Sequence, residues 1–195
     1  MQDPRPSATA SSYPPLWRAL HWGIAAAVAI LIPVGAWMTA RGEAGLWDGL
    51  TNTLYAWHKA IGFLVLLAIV LRLALRLRLG VPAYPAELSP LRRRLAGGLG
   101  RVFYVLLFAV PLAGWAGVTA YPALVTVGGF NLPAMPLVPQ DSDLAGRFFA
   151  VHGTLALLLG ALALGHVAIA LHHLLVKRDR VFERMWPRGG DASGG

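Results

Sequence analysis

The chain contains no cysteine. That excludes disulfides, thiolate-held iron–sulfur clusters and haem attached covalently through a C-x-x-C-H motif. Any metal or cofactor must hang from other side chains. Acids are scarce as well: nine Asp and Glu stand against seventeen Lys and Arg, for a formal net charge of +8. Only 13% of the 195 residues are charged, while 56% are apolar. A balance this greasy excludes an ordinary soluble domain and reads as an integral membrane protein. The positive excess then finds its partner in membrane lipids with anionic headgroups, not in nucleic acid. Also missing are a nucleophile elbow, a phosphate-binding glycine loop and a carboxylate pair at helical spacing in the apolar segments, so no catalytic residue is assigned.

What is present is a set of long apolar runs. Crossing a hydrocarbon core of about 30 Å takes about 20 helical residues. Four segments suffice, at about 16–39, 53–76, 100–121 and 147–176. They predict an all-α integral membrane four-helix bundle over 16–180, between a polar tail at 1–15 and a basic, Gly-rich tail at 181–195. The first run is 22 residues of apolar sequence behind a Pro- and Ser-rich start, longer than the core of a signal peptide, and is read as a retained span. Pro33 and Pro111 fall inside spans, where neighbouring helices accommodate a kink. Trp17, Trp22, Trp37, Trp47, Trp57 and Tyr121 gather near the ends, as amphipathic rings do in the headgroup zone.

Charge sets the orientation. The second connection holds Arg78, Arg92, Arg93 and Arg94, flanked by Arg72, Arg76 and Arg101, with Glu87 as its one acid. It is expected in the cytoplasm, as is the tail VKRDRVFERMWPR, which places both termini inside. The third connection, YPALVTVGGFNLPAMPLVPQDSD, is apolar but broken by four prolines and a Gly-Gly pair. It is expected to lie over the outer mouth of the bundle and not to cross.

The fourth run carries four histidines between residues 150 and 175 and no Asp, Glu, Lys or Arg. A polar side chain in hydrocarbon is expensive, although a lone histidine often just bonds a carbonyl. The positions are informative together. His152 and His166 differ by 14 residues, hence by about 40° around a helix and about 21 Å along it. His58 lies near the outer start of the second span and His21 near the inner start of the first. Two candidate pairs follow: His58 with His152, and His21 with His166. By depth, His173 matches His21 at least as well, whereas His172 is turned away by about 200° relative to His152. Two imidazoles on facing helices can supply both axial ligands of a haem iron enclosed in a helical bundle. Structural zinc needs four ligands at one point, and pairs about 21 Å apart do not converge. Gly62, Gly153, Gly160 and Gly165 would let a flat guest approach, or serve close helix packing. Arg72, on nearly the same face as His58 and about 21 Å away, could hold a haem propionate; Lys59 could do so at the outer end, with interfacial anchoring as its plainer role.

These residues resemble the bacterial cytochrome b561 family of small di-haem proteins with four membrane helices. The carrying stretches are LHW at 20–22, WHKAIG at 57–62 with VLRLALRLRL at 70–79, VHGTL at 151–155, GHVAIALHH at 165–173 and the closing KRDRVFERMWP at 177–187. The resemblance implies two non-covalent haem b groups with axial ligands His21, His58, His152 and His166. It also implies electron transfer between membrane quinone, with ubiquinone as exchangeable substrate, and a second redox partner in or outside the bacterial inner membrane. One branch of the family oxidises superoxide and reduces ubiquinone. Alternatives are a cytochrome b subunit of a larger dehydrogenase, hydrogenase or reductase, and a haem-free transporter or channel with a histidine relay.

Overall fold

The computed structural model describes residues 13–80, 89–178 and 185. Most of the two expected tails and much of the basic second connection, with Glu87, lie outside the described residues. Four helices follow one another: α1 at Pro15–Glu43, α2 at Gly49–Leu79, α3 at Pro90–Ala120 and α4 at Ser142–His172. Among the described residues there is no strand, only an isolated bridge between Val125 and Asn131. All four helices are long and apolar enough to cross a membrane. The chain is an all-α, multi-pass membrane bundle.

The helices start one to ten residues ahead of the expected spans because hydropathy marks the hydrocarbon crossing, whereas caps mark where a helix ends; α3 and α4 finish at 120 and 172, one and four residues before the expected 121 and 176. Asp48 caps α2 by accepting from the Thr51 N–H at 2.9 Å, and Asp141 caps α4 by accepting from the Leu144 N–H at 2.8 Å. Pro15 occupies the first position of α1, where a missing N–H costs nothing. Pro33 and Pro111 lie inside continuous helices. The short turn between α1 and α2 is clamped by Arg41, which donates through Nη2 to Asp48 Oδ2 at 2.5 Å and through Nε to Thr51 Oγ1 at 2.8 Å. The Thr51 N–H first, and Arg41 next, hold the Asp48 carboxyl down at about 2, below the ordinary 3.8.

Neighbours in sequence pack as neighbours in space, and α4 returns to α1 to close the ring. The buried core takes Ile24 from α1, Val65, Leu66 and Ile69 from α2, Leu106 and Leu107 from α3, and Leu159 from α4. Its register is telling. Val65 is seven residues after His58, and Leu159 is seven after His152 and seven before His166, so each shares a helix face with those histidines. The apolar core therefore sits at mid-depth, between two histidine levels. Leu64, Leu67, Val70, Leu157, Leu164 and Val167 point outward and are exposed, as lipid-facing residues are.

The third connection does not cross. It folds back over the ends of α2 and α3: Lys59 Nζ donates to the Ala123 carbonyl at 2.7 Å, Trp115 Nε1 donates to the Pro133 carbonyl at 2.7 Å, and the Met135 N–H donates to Thr119 Oγ1 at 3.0 Å. One 3-10 turn, Val127–Gly129, is its regular structure. Beyond α4 the chain makes a single π turn, His173–Lys177.

Candidate functional site

Three of the four helices, α1, α2 and α4, bring four histidines together two by two. His58 on α2 faces His152 on α4 with ring centres 5.9 Å apart and planes inclined at 80°. His21 on α1 faces His166 on α4 at 6.3 Å and 82°. His173, the alternative partner for His21, instead lies against His172, with ring centres 6.2 Å apart. The two pairs share α4, and the 14 residues between His152 and His166 separate them by about 21 Å along the helix.

The spacing suits a shared metal ion. An imidazole nitrogen binds a first-row metal at about 2 Å, so two such bonds in line place the ring centres about 6 Å apart. Both pairs meet that distance. Among the described residues no group of three or more His, Cys, Asp or Glu converges, so the nitrogen donors come as twos, which suits axial ligation of a macrocycle-held iron better than a tetrahedral ion. The polar contacts agree. His152 Nδ1 lies 2.8 Å from the Val110 carbonyl, a bond in which the ring must donate. This leaves Nε2 with its lone pair, the arrangement that metal-ligating histidines commonly adopt. His58 Nδ1 is buried without a hydrogen-bond partner among the described residues. A buried polar nitrogen in hydrocarbon is costly unless something binds the ring.

The His21/His166 level has different surroundings. Trp22 and Phe103 set their rings edge-on to His21 and His166, with centres 5.5 and 5.4 Å away. Arg72 Nη1 approaches His21 Nδ1 at 3.1 Å. Guanidinium only donates, so in this contact His21 Nδ1 accepts. Arg76 lies over the Tyr104 ring at 5.2 Å.

The glycines singled out in the sequence divide. Added side chains at Gly62, Gly153 and Gly165 would meet nothing within 4 Å, whereas one at Gly160 would press on Ile32 at 3.2 Å, so Gly160 serves α4–α1 packing. Lys59 is engaged by the Ala123 carbonyl. Two glycines that matter more were not anticipated: Gly35 and Gly114, which lie directly against His58 and His152. The available signal was their position just after the span prolines, in P-V-G at 33–35 and P-L-A-G at 111–114.

A membrane bundle with imidazoles opposed in pairs at two levels is an arrangement that can enclose haem between its helices. Comparison with known proteins narrows the reading. A family model described as prokaryotic cytochrome b561 matches residues 12–188. The Escherichia coli (strain K12) protein cytochrome b561 homolog 2 is 30% identical over 179 residues, covering 91% of this chain and 92% of that protein. The chain belongs to the prokaryotic cytochrome b561 family and is a bacterial multi-pass membrane protein of haem b electron transfer.

Proposed function

We propose that the chain is a di-haem b-type cytochrome of the bacterial inner membrane. Electrons cross the bilayer through it, with ubiquinone as the exchange partner at one face. Bound haem b supplies one-electron chemistry by alternating its iron between the ferric and ferrous states. The observation that carries the reading is the pair of matched spacings, 5.9 Å for His58 and His152 and 6.3 Å for His21 and His166.

The chain's own residues have definite tasks in this reading. His58 and His152 hold one haem, and His21 and His166 hold the other. The Val110 carbonyl keeps the proton of His152 on Nδ1 and so presents Nε2 as a ligand. At the other level, His21 can ligate through Nε2 only with a proton on Nδ1, which excludes Arg72 as a donor to that atom. The Nη1 donor that this releases can turn to a haem propionate, a carboxylate that guanidinium binds well. The mid-depth core keeps water from the space between the levels. Arginine-rich connections hold the His21/His166 end, and with it both termini, in the cytoplasm.

The test is spectroscopic and stoichiometric. Full-length protein purified in detergent from haem-replete cells is expected to show a Soret band and two haems per chain, and to be reduced by a ubiquinol analogue. A colourless preparation overturns the reading. Supplying superoxide as the donor in the same assay decides whether the chain belongs with the superoxide-oxidising branch. Stoichiometric co-purification of a dehydrogenase, hydrogenase or reductase would make it a subunit instead of a stand-alone carrier.

A further inference from the structure

We infer that Gly114 and Gly35 are positioning residues, which seat the imidazoles of His152 and His58 from behind and fix one of the two haem sites. The inference rests on the two-haem reading. In a helix the carbonyl of residue 110 points along the axis toward residue 114, where it meets that residue's N–H. A donor from another helix that shares this carbonyl must pass over position 114. His152 does so: its Nδ1 reaches the Val110 oxygen at 2.8 Å. A Cβ at position 114 would lie 2.9 Å from that same Nδ1 and 3.0 Å from Cε1, closer than side-chain carbons approach. The missing side chain at Gly114 therefore admits the ring to the carbonyl.

Gly35 on α1 is the counterpart across the bundle. A Cβ there would lie 3.1 Å from Cε1 of His58 and 3.6 Å from its Nδ1. The labour is divided between helices: α2 and α4 carry the ligands, while α1 and α3 offer bare backbone as the wall behind each ring. Among the glycines whose neighbours are described, none is set against His21 or His166 in this way. The device belongs to one level.

The chemical effect follows from the Nδ1–H bond to the Val110 carbonyl. Donating that proton makes Nε2 the stronger electron donor to iron, which favours the ferric state. Losing the bond should raise the midpoint potential of this haem alone.

The experiment uses the purified full chain and reads haem stoichiometry, the low-spin ferric electron paramagnetic resonance signals and a redox titration. The signal of this site is the one that His58→Ala removes. In Gly114→Ala that signal is expected to shift, with a raised midpoint, while the other haem keeps its own. Gly117→Ala is the packing control, because the three atoms nearest its Cβ, at 2.5 to 3.2 Å in the same α3–α4 contact, all belong to the Phe149 ring. It is expected to leave both signals in place. An unmoved signal in Gly114→Ala, or an equal shift in Gly117→Ala, overturns the inference. If Gly114→Ala does not accumulate in membranes, Gly35→Ala reads the same haem through His58, and an unchanged signal there overturns it too. Wild-type protein with no haem on His58 and His152 would instead overturn the two-haem reading, and this inference with it.

Discussion

The two ends of the bundle solve the same problem with opposite materials. Around His58 and His152 the supports are backbone: the Val110 carbonyl, and the bare helix surface at Gly35 and Gly114. Around His21 and His166 the neighbours are side chains: the Trp22 and Phe103 rings, with Arg72 close by. Charge divides in the same way. All four described acids, Glu43, Asp48, Asp141 and Asp143, lie toward the first end together with Arg41, Lys59 and Arg147, while toward the second Arg18, buried in α1, joins Arg72 and Arg76 with no described acid beside them. A backbone wall is rigid and neutral; a wall of arginine and aromatic rings can move and adds charge. The two levels should therefore differ in electron affinity even though their ligand spacings nearly match.

The largest effect expected from breaking this comparison is the loss of one level alone. His58→Ala and His21→Ala should each lower the haem content from two per chain to one, with the surviving signal different in the two variants. Equal residual spectra would mean that the levels are not independent. Next comes a change that ignores the ends. Ile69, 1% exposed at mid-depth, should cost about 2–5 kcal/mol of stability as Ile69→Ala, the usual range for emptying a packed core position. Thermal loss of both haems should then move together. Arg72→Gln should act on one end only, lowering the midpoint of the His21/His166 haem by on the order of 1–2 kcal/mol, the influence of a partly buried unit charge. A redox titration resolves that shift, and an equal change at the other haem would refute the assignment.

The smallest effect is set by acid. Asp48 has a folded value near 2 against an ordinary 3.8. Its contribution is fully present above about pH 4 and is lost as the pH falls through about 2. Asp48→Asn should flatten that part of the thermal-stability profile while leaving the neutral region parallel to wild type. The change should appear at the His58/His152 end, because Asp48 clamps the α1–α2 turn there.

The spans were legible because hydropathy needs no knowledge of neighbours, and the histidine levels were legible because 14 residues is nearly four whole helical turns. Caps refined the ends: Asp48 and Asp141 stand in the sequence, but only the fold shows that the helices run out to them. What stayed hidden depends on register between helices. Nothing in the spacing within α3 says that Gly114 and not Gly117 faces His152, since that is fixed by how far α3 slides against α4. The Arg72 contact with His21 joins residues 51 apart on different helices, so helix arithmetic gave its depth but not its neighbour. The third connection was read rightly as non-crossing from its prolines, yet its bonds from Lys59 and Trp115 emerge only once α2 and α3 stand side by side.

The seven buried residues at mid-depth, Ile24, Val65, Leu66, Ile69, Leu106, Leu107 and Leu159, include no group that takes up or releases a proton. On the function proposed above, negative charge traverses that layer unaccompanied. Turnover would then be electrogenic: it would work with or against the voltage across the membrane, slowing or quickening as that voltage is clamped.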